Sequence, residues 1–386
     1  MYDPGISTSS IYVHWPFCPY RCHFCDFVTV TGHNEFMAHY HQALMREIKL
    51  FQEQSQLAKT SHNFNTIYLG GGTPSTYPTP LLLDMTGTLK ELGVWSPTIE
   101  VTIEVNPGTV QQEQLIEWRN MGINRLSIGV QGLKERALRD LNRQQATHDV
   151  YNLLAWAAPV FDNISIDLII GLPGVTPDEW RAMITEIIGW NITHISVYFL
   201  TVHEYTPLAY RLSKGQVTLP CDDETVALWY WTREQLEKAG FIQYELSNYA
   251  RKGFEGRHSH AYWNRDPYRG FGLGAWSFDG TRRMHNEKKL REYCSAVEQE
   301  QFVVWHETID ARGIWLERVM LGLRKMQGLS YDQLMQDLPV VHHDELLHRI
   351  EQLRNAQLLA EDAEGYLHVT PRGLAVTNDI IVHLTP

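Results

Sequence analysis

Apolar, β-branched runs recur along the first half of the chain at residues 10–17, 65–70, 98–106, 124–130, 164–171 and 194–200. Between them, apolar positions fall at helical spacing over 35–53, 80–92, 111–121, 146–157 and 177–190. Each predicted strand is short and largely apolar on both faces, the pattern of a parallel sheet covered by helices. Strand and helix alternating six times predict a right-handed parallel α/β sheet or open barrel. In such folds ligands bind at the carboxyl ends of the strands.

From residue 221 the pattern loosens into a helix at 224–239, a short run at 244–249 and a Gly/aromatic-rich segment at 258–279. Beyond residue 305 it changes to helices at 312–326, 331–338 and 345–355, then a hairpin-like stretch at 358–370 turning at 363–365. Three helices and a hairpin suggest a winged-helix-like module. The expected organisation is a core barrel over 1–220, an extension over 221–304 and the winged-helix-like domain over 305–386. That last domain carries 7 Lys+Arg against 12 Asp+Glu, which favours a protein-facing or lid role over DNA binding.

The whole chain of 386 residues is acidic too, with a formal net charge of −12, and this excludes a general nucleic-acid binder. No run of 18 apolar residues is present and the first residues lack a signal-peptide pattern, so the expectation is a soluble cytoplasmic protein. Five cysteines, an odd number, do not read as a disulfide framework.

Three of them form Cys18-x-x-x-Cys22-x-x-Cys25 directly after the first strand. One reading is structural zinc, with His14 or His23 as the fourth ligand. The other is a [4Fe–4S] cluster on three thiolates, which leaves one iron open to a small molecule. Cys221 and Cys294 read as ordinary thiols. After the second strand, Gly70-Gly71-Gly72-Thr73-Pro74 is either a tight turn or a side-chain-free backbone that presses N–H groups against a ligand. Glu104 ends a mostly apolar strand, where a carboxylate needs an arginine or a polar ligand group as partner.

Tyr12-Val13-His14-Trp15-Pro16-Phe17-Cys18 through Phe24-Cys25 resembles the signature of the radical S-adenosylmethionine (SAM) superfamily, specifically the coproporphyrinogen-III-dehydrogenase-like branch of HemN and the haem chaperone HemW. The likeness runs through residues 10–386. It implies a radical-SAM partial (β/α)6 barrel with the winged-helix-like domain behind it. It also implies a [4Fe–4S] cluster on Cys18, Cys22 and Cys25, which passes an electron to SAM and releases a 5′-deoxyadenosyl radical. Tyr12, Phe24, Gly71, Gly72, Thr73, Glu104, Gln131, Arg143 and Asp167 match the SAM-site positions.

Within the branch the likeness is to HemW. Phe27 stands where HemN has a fourth cysteine, and only nine residues precede the first strand, where HemN has an extension. His258-Ser259-His260-Ala261-Tyr262-Trp263 resembles the HemW haem-binding motif, with serine in place of asparagine, and implies His258 as haem ligand. His260 is the alternative ligand, and Trp276 and Phe278 are candidate porphyrin neighbours. The implied function is haem binding and delivery to haem proteins. The alternatives are oxidative decarboxylation of coproporphyrinogen III and other radical chemistry on the haem ring. The expected partners are haem or porphyrin and haem-accepting proteins, with room for a homodimer and for peripheral membrane contact.

Overall fold

A computed structural model describes residues 3–385. Six parallel strands run in chain order side by side: β1 (Ser10–Trp15), β2 (Asn63–Gly71), β3 (Val94–Val105), β4 (Arg125–Gln131), β5 (Asn163–Ile170) and β6 (His194–Phe199). They belong to a twelve-stranded sheet that extends past both ends of this set. Beyond β6 lie β8 (Asn248–Ala250), antiparallel to β6, and then β7 (Ile242–Gln243), antiparallel to β8. Beyond β1 lie β9 (Tyr268–Phe271), β10 (Trp276–Phe278), β11 (Arg282–Asn286) and β12 (Val303–Thr308). β9 is parallel to β1, so the run of neighbouring strands paired in parallel is seven long, not six. The expected boundary at 304/305 falls inside β12, which is still part of this sheet.

Helices cover the outer face. Met37–Leu57, Thr79–Leu92, Gln112–Met121, Thr147–Ala157 and Pro177–Ile187 follow successive strands. Pro177–Ile187 shows why such a helix starts where it does. Thr176 caps it, accepting from the Glu179 amide while the Glu179 carboxylate takes the Thr176 amide, and Pro177 occupies the first turn, where no N–H is needed. Beneath these helices sit Ile103, Leu126, Ile128, Ile164, Ile166, Ile195 and Val197, all buried.

The inner face differs from expectation. Alternation along each strand turns Tyr68, Glu104, Ser127, Ser165, Asp167, His194 and Ser196 away from the helices, and they stand beside one another across the sheet. The strands are therefore apolar outside and polar inside, which is what a sheet lined with ligand-facing groups requires. A short helix, Arg257–Trp263, closes the amino-terminal end of this interior. The Glu100 carboxylate accepts from the Arg257 and His258 amides at 3.2 and 3.1 Å.

The extension is tied to the barrel by a buried carboxylate. Glu47, on the helix Met37–Leu57, accepts from Arg269 (2.9 Å), the Gly272 amide (2.9 Å), Asn286 (2.9 Å) and Tyr293 (2.6 Å). The C-terminal module consists of helices Ala311–Gly322, Tyr331–Asp337 and His343–Asn355, a three-stranded sheet of Leu329–Ser330, Tyr366–Val369 and Leu359–Glu361, and a last helix, Thr377–Leu384. That is the expected winged-helix-like arrangement with a third strand and a final helix added. No helix among the described residues is long and apolar enough to cross a membrane.

Removing one partner of the buried Glu47–Arg269 pair strands a charge, so Arg269→Leu is expected to cost about 3–5 kcal/mol of stability, read as a fall in the urea midpoint.

Candidate functional site

The cysteine loop leaves β1 at Pro16 and is held from three sides. The His23 amide donates to Leu141 O (2.8 Å), the Leu208 amide to His23 O (2.9 Å), and the Asn142 side chain to Arg21 O (2.8 Å). Cys18 and Cys22 are buried and Cys25 is half-buried. Burial pushes all three thiols up, Cys18 to about 11, and Arg143 opposes this at Cys22 by its charge and a hydrogen bond. Thiols so placed become thiolates when a metal displaces their protons. Among the described residues no three His, Cys, Asp or Glu side chains are gathered closely enough to hold a single ion. His14 is not a spare ligand either: Tyr12 and Val28 O occupy its ring nitrogens at 2.9 and 2.8 Å. The donor set fits a cluster, in which each thiolate takes its own iron.

The glycine run ends β2 against this loop. A Cβ on Gly72 would stand 2.4 Å from Pro16 O and 3.0 Å from the Cys18 sulfur, so only glycine lets the two backbones meet. Gly71 adopts φ +119°, and its amide donates to Glu104 at 3.0 Å. Thr73 is buried behind them. Its hydroxyl donates to the Cys18 sulfur (3.3 Å) and accepts from Asn106 (3.0 Å).

In front lies a cavity of about 420 Å³ at the carboxyl ends of the strands. Its wall holds all three cysteines together with Phe24, Gly71, Gly72, Glu104, Gln131, Arg143 and Asp167. Burial, and then the neighbouring Asp167 charge, raise Glu104 to about 7 against the pull of Tyr68 and the Gly71 amide. Asp167 is also raised by burial, and Ser127 donates to it at 3.1 Å. Arg143 reaches Asn106 (3.0 Å), Gln145 (3.2 Å) and Gly129 O. Gln131 takes the left-handed region at φ 63° beside a register shift in β4, a strained turn of the chain at the cavity's edge. Among the described residues the nearby, buried Arg125 Nε has no hydrogen-bond partner. Two carboxylates, a guanidinium and open backbone beside three thiols suit a zwitterionic ligand that carries both an ammonium and a carboxylate.

Three candidates stand elsewhere. Thr73 does not line the cavity. Tyr12 lines a second, adjoining cavity, which shares Gly71, Glu104, Asp26 and Phe27 with the first. His258 lies under the barrel base, its ring nitrogens hydrogen-bonded to Thr66 and Tyr262, both at 2.8 Å. Burial, then the Arg125 charge, lower it to about 3. His260, two residues further along the same helix, is half-buried and stacks on Tyr244 at 5.1 Å. Trp276 and Phe278 line the second cavity. Asn106 and Ser127 went unassigned from sequence. The triplets Leu126-Ser127-Ile128, Ile164-Ser165-Ile166 and Ile195-Ser196-Val197 were the available signal, each placing one serine on the face that turns inward.

Residues 12–187 match the radical SAM superfamily, and residues 309–376 match the HemN C-terminal domain. The heme chaperone HemW of Synechocystis is 34% identical over 337 residues, covering 84% of this chain and 80% of its own. That of Bacillus subtilis is 32% identical, covering 83% and 84%. A zebrafish (Danio rerio) mitochondrial protein described as radical S-adenosyl methionine domain-containing protein 1 is 27% identical, covering 97% and 86%. The solved structure of Escherichia coli coproporphyrinogen III oxidase (HemN) superposes with a TM-score of 0.84 over 99% of this chain and 91% of its own, at 23% identity.

Gly72→Ala forces the glycine run off the cysteine loop, so after anaerobic reconstitution the variant is expected to hold well under half of the wild-type iron per chain, with its far-ultraviolet circular dichroism unchanged.

Proposed function

The chain belongs to the radical SAM superfamily, in the branch that holds HemN and HemW, and from that membership we propose that it is a haem chaperone of the HemW type. Membership implies a [4Fe–4S] cluster and SAM as cofactors. The observation that carries the reading is the single cavity wall on which Cys18, Cys22 and Cys25 stand beside Glu104, Arg143 and Asp167.

In this reading the three cysteines hold the cluster, and Arg143 offsets the negative charge that their thiolates gather. Gly71 and Gly72 bring bare backbone to the SAM methionine group, and Thr73 supports Cys18 from behind. Glu104 and Asp167 take cationic and polar groups of the ligand, Gln131 closes the β4 end, and Phe24 gives the cavity an apolar edge. Tyr12 reaches the same ligand from beyond Gly71. When bound together, cluster and SAM supply a one-electron route to an adenosyl radical. Haem delivery is favoured over coproporphyrinogen oxidation by Phe27, which is 63% exposed at the mouth where HemN has a further cysteine. Ligation of haem iron by His258 requires one of its two ring-nitrogen bonds, to Thr66 or to Tyr262, to break.

The test is a haem titration of anaerobically reconstituted protein, followed in the Soret region, with product analysis after reduction in the presence of SAM and coproporphyrinogen III. Specific haem binding with no decarboxylated product supports the chaperone. Turnover of coproporphyrinogen without haem binding replaces it with the enzyme. The variant with all three cysteines changed to alanine is expected to lose the iron and sulfide of the cluster.

Glu104 also gives SAM binding a pH signature. Asp167, Tyr68, Tyr12 and Tyr262 face this carboxyl, and its value of about 7 means that it is protonated below neutrality and ionised above. An ammonium group pairs with the ionised form, so SAM affinity should fall as pH drops through 7, by up to about tenfold per unit. In Glu104→Gln that slope should vanish, as calorimetry from pH 6 to 8 would show.

A further inference from the structure

The cavity that holds the cysteines does not stop at the rim of the barrel. It runs inward to Arg125, His194, Ser196, Asn248 and Ser259, which form a polar floor. Arg125 is the first residue of β4 and Gly129, bonded to Arg143 at the rim, is the fifth. At about 3.3 Å per residue, some 13 Å of strand separates the two levels. The Arg125 guanidinium stays at the base, since a Cβ on Gly256, which caps the helix Arg257–Trp263, would stand 3.8 Å from its Nη2.

Arg125 is 4% exposed, yet among the described residues it forms no ion pair and its Nε has no hydrogen-bond partner. The carboxyl groups around it are held by neutral donors instead. Asp167 accepts from Ser127 and Ser196, Glu104 from Tyr68 and the Gly71 amide, and Glu100 from the Arg257 and His258 amides. Glu245 lies behind Asn248, bonded to its side chain and facing Arg324. His194 adds no charge, because burial keeps its ring neutral and Ser165 and Tyr244 take both nitrogens at 2.7 and 2.8 Å. A second floor group is also unsatisfied: Asn248, 7% exposed, has a buried Oδ1 with no hydrogen-bond partner. A buried guanidinium without an acceptor and a buried carbonyl without a donor are each costly, and one ligand carrying both functions would relieve them.

We propose that the barrel floor is a second small-molecule site, beneath the SAM positions, which takes a small hydroxycarboxylate. Its carboxylate accepts from Arg125 and its hydroxyl donates to Asn248 Oδ1, with Ser259 as the adjoining wall. A singly charged carboxylate matches the one cation at this depth, and its two oxygens fit the guanidinium fork, whereas a phosphate dianion would bury a surplus charge. The volume of about 420 Å³ is shared with the rim, so the ligand has only a few carbon atoms.

The test follows the unfolding temperature of reconstituted wild type, Arg125→Met and Ser259→Leu against sodium glycolate, acetate and phosphate, with sodium chloride of equal ionic strength as control. Glycolate should stabilise wild type saturably, at concentrations up to about tenfold below those acetate needs, since it adds one hydrogen bond. Arg125→Met should lose this response and, without ligand, be more stable than wild type, because it removes an unpaired buried charge. Ser259→Leu keeps the arginine but fills the floor, and should lose the response too. A wild-type response no larger than that to chloride, or one retained in Arg125→Met, overturns the proposal. An Arg125→Met protein less stable than wild type makes the arginine structural, and a stronger response to phosphate rejects the carboxylate. Saturating SAM should leave the glycolate response in place. If SAM abolishes it, Arg125 belongs to the SAM site and the second site falls, while a protein that responds to glycolate but binds no SAM overturns the SAM reading alone. If Arg125→Met fails to fold, the Ser259→Leu titration decides.

Discussion

A sheet with charge on its concave face cannot be closed by hydrophobic packing, and most of this molecule follows from how that charge is accommodated. Glu104, Asp167, Arg125 and Arg143 stand on or beside the inner face of the strands, where burial alone would drive the carboxyl groups to their neutral form. At the amino-terminal end protein supplies the answer. The helix Arg257–Trp263 offers its first amides to Glu100 and fills the base with His258, Tyr262 and their hydrogen-bond partners. At the carboxyl end protein does not close the site, and the groups face a cavity. Desolvated groups of both signs around an open volume are stabilised by a ligand of matching polarity, so the same constraint that shapes the plug also shapes the opening.

The cysteine loop adds a second constraint, which runs against the first. Burial holds three thiols protonated, while a cluster needs them as thiolates. Arg143 is the residue common to both demands, since it lines the cavity and bonds towards Cys22. It is itself fixed by Asn106, Gln145 and the Gly129 carbonyl rather than by a carboxylate, so its charge is not neutralised by an ion pair. Gly129 and Gly72 then have the same explanation. A methyl group at either would enter the space of Arg143 or of the cysteine loop, and the electrostatic arrangement would move with it.

The alternation of the first 200 residues was readable because helix-covered parallel strands impose it on the sequence, and all six expected strands of the barrel are present with ends shifted by a few residues. Polarity of the inner face was not read. Isolated serines between isoleucines look like dilution of an apolar run until the alternation is phased by register. β9 was missed because Tyr268-Arg269-Gly270-Phe271 carries an arginine that is buried only by virtue of Glu47, 222 residues earlier in the chain. Cysteine spacing by itself left zinc and a cluster both open, and it was the resemblance that pointed to the cluster. The SAM residues came from resemblance, and seven of the nine meet in one cavity because each ends a strand or the loop beside it. His258 shows the limit of motif reading, since neither its burial nor its two hydrogen bonds can be inferred from the letters around it.

Charge arithmetic on the last domain pointed away from nucleic acid, and the structure supplies a positive role for that acidity. Glu317, on the helix Ala311–Gly322, is the carboxylate that bridges Arg265 of the extension and Arg283 of β11. Arg265 and Glu317 are only 9% and 14% exposed, so the contact is much stronger than a surface ion pair and fixes the module as one wall of the second cavity. The seating of the C-terminal domain against the sheet thus runs through these three side chains.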